Sequence, residues 1–260
     1  MYNKLLSDFF ASESIEFYSC LDISECPMLL PRKLPDFTRS VCFFLIPYYV
    51  REEAERNVSL YAVPRDYHLY AKELEERLLG AFSGTNILAR VFADSSPFDE
   101  RRCAALCGLG DIGKNGLLIN PVYGSYVFIG SICLSCSISI TQNTENFKCD
   151  LCGNCEKCRT ACPFLSGRCG ECLSNITQKK KIDGDEEKLI ASARLKWGCD
   201  ICQEACPYNK DIPETPIRFF KECRLPYLTK EMLSGMSDEE FSERAYAWRT
   251  RAVIDRNLEL

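Results

Sequence analysis

Residues Val41-Cys42-Phe43-Phe44-Leu45-Ile46 form an unbroken apolar run, and Tyr126-Val127-Phe128-Ile129 repeats the pattern further on. Short runs rich in β-branched and aromatic residues predict buried strands. Between them Tyr67, Tyr70, Ala71, Leu74, Leu78 and Phe82 recur at steps of three and four, which places them on one face of a helix. Pro64 stands near its start, and Glu73 and Arg77 make an i,i+4 pair on the polar face. Near the C-terminus, Thr229 to Met236 and Ser237 to Trp248 are predicted helical, the second opening on a capping box from Ser237 to Glu240. Lys179 to Glu187 is uniformly polar and charged and is expected to be a solvated loop, although a lysine triplet can also contact phosphate. No repeat of solenoid period is present, and the N-terminal half reads as mixed α and β.

Composition narrows the class. The chain has 260 residues, 46% hydrophobic and 27% charged, enough for one large or two modest domains with a buried core. The longest apolar run, Val41 to Val50, is about half of what a bilayer crossing requires, so no membrane partner is expected. The N-terminus lacks the basic stretch, long apolar core and small-residue cleavage site of a signal peptide, and a cytoplasmic location is expected. A net charge of -5 gives the chain as a whole no electrostatic footprint for nucleic acid, so any RNA contact must be local.

Cysteine changes the picture most. There are 18 cysteines beside a single histidine, His68, which excludes multi-histidine metal sites. Ten of the 18 lie between Cys149 and Cys206, which sets a boundary near residue 146. Cys152-Gly-Asn-Cys155-Glu-Lys-Cys158-Arg-Thr-Ala-Cys162-Pro163 is the C-x2-C-x2-C-x3-C-P pattern of bacterial tetranuclear iron–sulfur sites, in which the fourth cysteine ligates a second cluster. Cys199-Asp-Ile-Cys202-Gln-Glu-Ala-Cys206-Pro207 repeats the x3 spacing and the proline. Two 4Fe-4S clusters are therefore expected, one on Cys152, Cys155, Cys158 and Cys206, the other on Cys162, Cys172, Cys199 and Cys202. Cys149 and Cys169 each stand three residues before a proposed ligand and could replace it. Structural zinc is the alternative, but it has no need of a crossover cysteine. Cys20, Cys26, Cys42, Cys103, Cys107, Cys133, Cys136 and Cys223 read as small apolar core residues or free thiols.

Three further stretches carry a family resemblance. They are Ser59-Leu-Tyr-Ala-Val-Pro-Arg-Asp-Tyr67-His68; Asp94-Ser-Ser-Pro-Phe-Asp-Glu-Arg101, continuing through Gly108-Leu-Gly110 and Gly113-Lys114-Asn115; and Gly124-Ser125 with Gly130, then Trp197 to Asp200 and Cys206 to Asn209. From about residue 30 onward the chain resembles the epoxyqueuosine reductases, cobalamin and iron–sulfur enzymes related to reductive dehalogenases. The resemblance implies an α+β fold: a nitroreductase-like corrinoid-binding domain (1–145), a two-cluster ferredoxin-like domain (146–212) and a helical C-terminal segment (213–260). It implies cobalamin held base-off, electrons passing through the clusters to cobalt, and removal of the epoxide oxygen of epoxyqueuosine in tRNA or a smaller queuosine-containing substrate. A low-potential donor of flavodoxin or ferredoxin type is the implied partner. Asp94 takes the place of the family's proton donor, a role open to a carboxyl kept protonated by burial beside an apolar corrin face. Tyr67, His68, Arg101, Gly108, Gly110, Lys114 and Ser125 are the implied corrinoid-side residues.

Simpler readings stand beside these. Asp94 before Ser95-Ser96-Pro97 is a good turn former, and Gly108-x-Gly110-x-x-Gly113 resembles a nucleotide loop without a Rossmann context. His68 at a helix start fits a structural histidine, and Arg101 and Lys114 fit surface charges. Asp111 stands where the family usually has tryptophan, and the family commonly continues past the Arg256-Asn257 position into helical repeats that contact tRNA, whereas this chain stops at Leu260; a short form without that RNA surface is expected. A corrinoid reductase of another substrate, such as an organohalide, and a non-catalytic ferredoxin-type carrier are the competing functions.

Overall fold

The apolar run at residue 41 is uninterrupted because both of its faces are covered. In the computed structural model, which describes residues 2–51, 55–142, 151–167 and 170–260, every position of strand Ser40–Pro47 is buried. Cys42, Phe44 and Ile46 point into one core, and Val41, Phe43 and Leu45 into another, the period-2 alternation of a strand. The chain runs α1 (Tyr2–Ser12), β1 (Tyr18–Asp22), β2 (Ser40–Pro47), α2 (Tyr67–Ala81), β3 (Ala89–Ala93), α3 (Glu100–Leu106), the short strands β4 (Asp111–Ile112) and β5 (Leu118–Ile119), β6 (Val127–Leu134) and β7 (Thr141–Gln142). The helices α4 (Lys157–Ala161), α5 (Leu173–Ile176), α6 (Gly184–Ser192), α7 (Ile201–Glu204), α8 (Lys230–Gly235), α9 (Asp238–Ser242) and α10 (Arg251–Glu259) follow. Among the described residues five strands form one sheet in the order β3-β6-β2-β1-β7, each pair antiparallel, and β4 and β5 form a separate hairpin. The architecture is mixed α and β, as the residue pattern predicts.

Helix α1 and the Tyr70, Ala71, Leu74 and Leu78 face of α2 cover one side of the sheet, while Cys103 and Ala104 of α3 with Leu109 and Leu118 cover the other. A third core gathers Val58, Ala62, Val63 and the fully buried Trp197 against Leu228, Phe241, Tyr246 and Ile254. Residues 57–59 run beside 196–197, with the Ser59 N–H donating to the Trp197 carbonyl at 2.8 Å.

Two expectations are corrected. Lys179 to Glu187 is not all loop: Asp183 and Glu186 form a reciprocal capping box that starts α6 at Gly184, and Lys179 pairs with Glu171 and Glu186. The helix opened by the Ser237 box ends at Ser242 instead of Trp248. Beyond it the backbone turns to bind Arg65 and Asp66, with the Asp66 N–H donating to the Glu243 carbonyl at 2.7 Å, and α10 starts separately at Arg251. No helix among the described residues is long and apolar enough to cross a membrane.

Candidate active site

Strand β3 ends at Ala93, and the next two residues, Asp94 and Ser95, both hold left-handed backbone (φ 56° and 44°). Neither is glycine, so each such residue costs of order 1–3 kcal/mol and persists because its surroundings hold it. The restraints are visible. Lys33 Nζ donates to the Ser95 carbonyl at 2.7 Å, the N–H groups of Leu29 and Leu30 both donate to the Pro97 carbonyl at 2.9 Å, and Phe98 is buried edge-on against Phe43. Asp99 caps α3 by accepting from the Arg102 N–H, which makes Glu100 the first residue of that helix. The Asp94-to-Arg101 stretch is thus both a turn and a helix start, and it projects the Asp94 carboxyl outward, with its side chain 63% exposed instead of buried as expected, because the turn carries it clear of the sheet.

Helix α2 faces this carboxyl. Asp66 caps α2 through the His68 N–H at 3.0 Å and also lies 2.8 Å from His68 Nδ1. That contact raises the His68 pKa against the opposing effect of burial. His68 Nε2 is 3.9 Å from Asp94 Oδ2, and the Tyr67 hydroxyl donates to the same oxygen at 3.2 Å. Tyr67 is stacked between His68 and Phe128, with ring centroids 4.2 and 4.1 Å away, and burial pushes its ionisation well above the ordinary phenol range. The phenol therefore remains a donor at neutral pH.

Asp94 sits between two clefts. One, of about 190 Å³, has an apolar wall of Leu117, Leu118, Val127, Phe128 and Ile129 and a polar rim of Tyr67, Asp94, Glu100, Arg101 and Ser125. The other, about 520 Å³, lies over α2 and β3 and includes His68, Lys72, Arg90 and Ser95. Arg101 is anchored by donating to the Gly116 carbonyl at 2.6 Å. Ser125 ties the first cleft to the cysteine-rich segment: its hydroxyl accepts from Gln203 at 3.1 Å and Asn209 at 2.9 Å, and its N–H donates to Asn209 at 2.7 Å.

The cysteines fall into two neighbourhoods. Cys152, Cys155, Cys158 and Cys206 line one pocket together with Lys114, Asn115, Ile119, Pro207 and Tyr208. The Lys114 N–H donates to Cys152 Sγ at 3.4 Å, while the Lys114 ammonium pairs with Glu156. In the second neighbourhood Cys199 and Cys202 are half-buried and held above the usual thiol range, first by desolvation, with the charges of Cys162 and Cys172 adding to it. Among the described residues no three histidine, cysteine, aspartate or glutamate side chains are drawn together as a single metal ion needs. Cys149 and Cys169 lie outside the described residues. Cys26, Cys42, Cys103, Cys107 and Cys133 are buried core thiols and Cys223 is exposed.

No protein-family model matches the chain. Over 234 residues it is 30% identical to the epoxyqueuosine reductase of Cyclobacterium marinum, an alignment covering 82% of this chain and 71% of that protein. The chain belongs to the epoxyqueuosine reductase family. It is also 34% identical over 196 residues to the epoxyqueuosine reductase of Leadbetterella byssophila, covering 69% of this chain and 61% of that one. Among solved structures, the epoxyqueuosine reductase of Streptococcus thermophilus superposes with a TM-score of 0.74 at 22% identity, covering 99% of this chain and 80% of that one. An epoxyqueuosine reductase bound to a tRNA-Tyr epoxyqueuosine-modified stem loop superposes at 0.76 and 20% identity, covering 98% and 80%.

The reductase motif residues do not all converge. Tyr67, Asp94, Arg101 and Ser125 share one cleft, while His68 lines the neighbouring one, 3.9 Å from Asp94. Gly108, Gly110 and Lys114 stand elsewhere: Gly108 (φ +68°) ends α3, a Cβ on Gly110 would fall 2.5 Å from the Ile119 carbonyl oxygen, and Lys114 belongs to the cysteine pocket. Gly110 thus serves close packing against β5. Asp111, in place of the family tryptophan, accepts from the Leu151 N–H at 3.3 Å, joining the hairpin to the start of the described cysteine segment. Three functional features escape the residue pattern: the Asp66 cap that orients His68, the Gln203 and Asn209 anchors of Ser125, and Glu100 in the Asp94 cleft. Glu100 lies inside the motif, so its position was legible there and its burial was not.

Proposed function

We propose that this chain is an epoxyqueuosine reductase that takes the epoxide oxygen from epoxyqueuosine in tRNA, with residues 1–145 forming a corrinoid-binding part, 146–212 a ferredoxin-like part and 213–260 a helical C-terminal segment. The observation that carries the reading is Asp94, held out by a strained turn between two clefts, with a phenol and an imidazole aimed at one of its oxygens.

The residues fit the cofactors that the family motif implies. Cys152, Cys155, Cys158 and Cys206 would hold one 4Fe-4S cluster and Cys162, Cys172, Cys199 and Cys202 the second; four cysteines around one pocket suit a tetranuclear cluster, and the second four affect one another's ionisation. The apolar wall from Leu117 to Ile129 suits the face of a corrin, and the polar rim at Tyr67, Arg101 and Ser125 suits its amide side chains. A base-off corrinoid is consistent with His68, whose two ring nitrogens face Asp66 and Asp94. When bound, the clusters supply single electrons from a flavodoxin- or ferredoxin-type donor and the corrinoid supplies a strongly reducing metal centre.

The chain's own contribution is protonation and positioning. Asp94 protonates the departing oxygen, which would otherwise leave as an anion. Tyr67 and His68 fix the carboxyl through their contacts with Oδ2. Ser125, bonded to Gln203 between Cys202 and Cys206, holds the cysteine segment against the cleft where electrons are consumed. A tRNA substrate is supported by the stem loop bound to the solved relative. Asp94→Asn tests the role: the amide keeps the shape but is a far poorer acid, and rate should fall by about two to four orders of magnitude with iron and corrinoid content unchanged. Near-wild-type reduction of epoxyqueuosine by a fully loaded Asp94→Asn protein would leave Asp94 as a turn former only.

A further inference from the structure

Removing oxygen from an epoxide to leave a carbon–carbon double bond releases it as water. The two electrons supplied become the π bond, the oxygen keeps both carbon–oxygen bonding pairs, and two protons must reach it. Asp94 carries one proton. The second carboxyl of the same cleft is Glu100, whose Oε1 is closed off from solvent and has no hydrogen-bond partner among the described residues.

We infer that Glu100 supplies the second proton, delivering it to Asp94 after Asp94 has given up its own. This rests on the epoxyqueuosine reductase reading. As the first carbon–oxygen bond breaks, Asp94 gives its proton to the oxygen and becomes a carboxylate; Glu100 reprotonates it. Asp94 then donates again as the second bond breaks, and water leaves. Both carboxylates recover their protons from solvent. An orphaned buried oxygen suits this role, since the neutral form is the one such a site favours.

The surrounding charges agree. Burial raises the Glu100 pKa to about 7, and the Asp94 charge adds to the rise. The Ser96 hydroxyl, the Asp94 backbone and His68 oppose it. From α2 the facing groups are Tyr67, His68 and, behind His68, Asp66; from the loop it is Asp94; from its own helix it is Arg101. A carboxyl raised in this way is protonated below about pH 7 and loses its proton above it, so turnover should be full below that value and decline above.

The test compares wild type with Glu100→Gln, each loaded with iron and corrinoid. Glu100→Gln should lower kcat about 100-fold, leave KM unchanged and abolish the decline near neutral pH, with Glu100→Asp recovering part of the rate. Infrared spectra should show a protonated-carboxyl band in wild type that titrates near pH 7 and is absent from Glu100→Gln. A Glu100→Gln enzyme with wild-type kcat and the same decline, an unchanged infrared titration, or loss of cofactors from both variants would each overturn the inference. Failure of the wild type itself to reduce epoxyqueuosine would count against the function, while the infrared titration would still judge Glu100.

Discussion

Arg56→Met should be among the most damaging substitutions outside the clefts. Arg56 is 6% exposed and Asp200 fully buried, 2.7 Å apart between Nη1 and Oδ2. The guanidinium also serves the Val58 carbonyl at 2.9 Å and Glu204 at 2.5 Å. Methionine fills much of the volume but leaves the Asp200 charge without its cation, and breaking a buried pair from one side costs about 3–5 kcal/mol. Two effects bear on where in that range the cost falls. Asp200 still accepts from the Ser59 hydroxyl at 2.5 Å and the Leu60 N–H at 2.8 Å, which moderates the loss, while the stranded Val58 carbonyl adds about 1 kcal/mol. Glu204 is partly exposed and keeps Arg194, so it contributes little. At roughly 2–4 °C per kcal/mol for a chain of this size, the melting temperature should drop on the order of 10 °C. Urea unfolding of the iron-loaded protein should show a lower midpoint with unchanged slope. Adding Asp200→Asn should cost much less in the Arg56→Met background than alone, because the charge has already lost its partner. A single variant within 1 kcal/mol of wild type, or strictly additive effects, would refute the assignment of this pair as a buried, mutually dependent contact.

Two other outcomes follow from the cysteine segment. Anaerobically purified protein should hold about eight irons per chain, and Cys155→Ser should remove roughly half, since the other cluster keeps all of its thiolates; iron analysis decides, and stoichiometric zinc without charge-transfer absorption would end the cluster assignment. Gly198→Ala should cost about 2–4 kcal/mol in urea unfolding, because the residue sits at φ +69° and a Cβ would lie 2.5 Å from that of Ser59; a loss under 1 kcal/mol would show that the contact yields.

Local signals were enough wherever one element decides its own state. Strand β2 follows from its unbroken apolar run and helix α2 from hydrophobic period, and the Asp183-x-x-Glu186 box that starts α6 was present in the sequence but hidden by the surrounding charge. The end of α9 was not legible, since what stops it is a backbone contact with Arg65 and Asp66, far away in sequence. The same division holds at the site. Cysteine spacing picks out Cys152, Cys155, Cys158 and Cys206, which line one pocket, and the Asp94 motif lies at the cleft. Gly110 reads as a cofactor contact in sequence because close packing and ligand approach both select glycine, and only the structure shows that a Cβ there would meet the Ile119 carbonyl. Glu100 becomes unusual only where Tyr67 of α2 and Val127 to Ile129 of β6 share its cleft.

The residues between the cysteines explain how spacing and docking come to be linked. Asp200 stands between Cys199 and Cys202, Gln203 follows Cys202, and Asn209 follows Cys206 by three. Asp200 reaches Arg56, Ser59 and Leu60, while Gln203 and Asn209 reach Ser125. Gly124 makes room for this: a Cβ there would lie 2.0 Å from Asn209 Oδ1. Asp200, Gln203 and Asn209 thus anchor the segment that carries Cys199, Cys202 and Cys206 to the N-terminal half. Substitutions at Asp200, Gln203 or Asn209 should consequently disturb electron delivery and stability together, which a flexibly tethered electron-transfer module would not require.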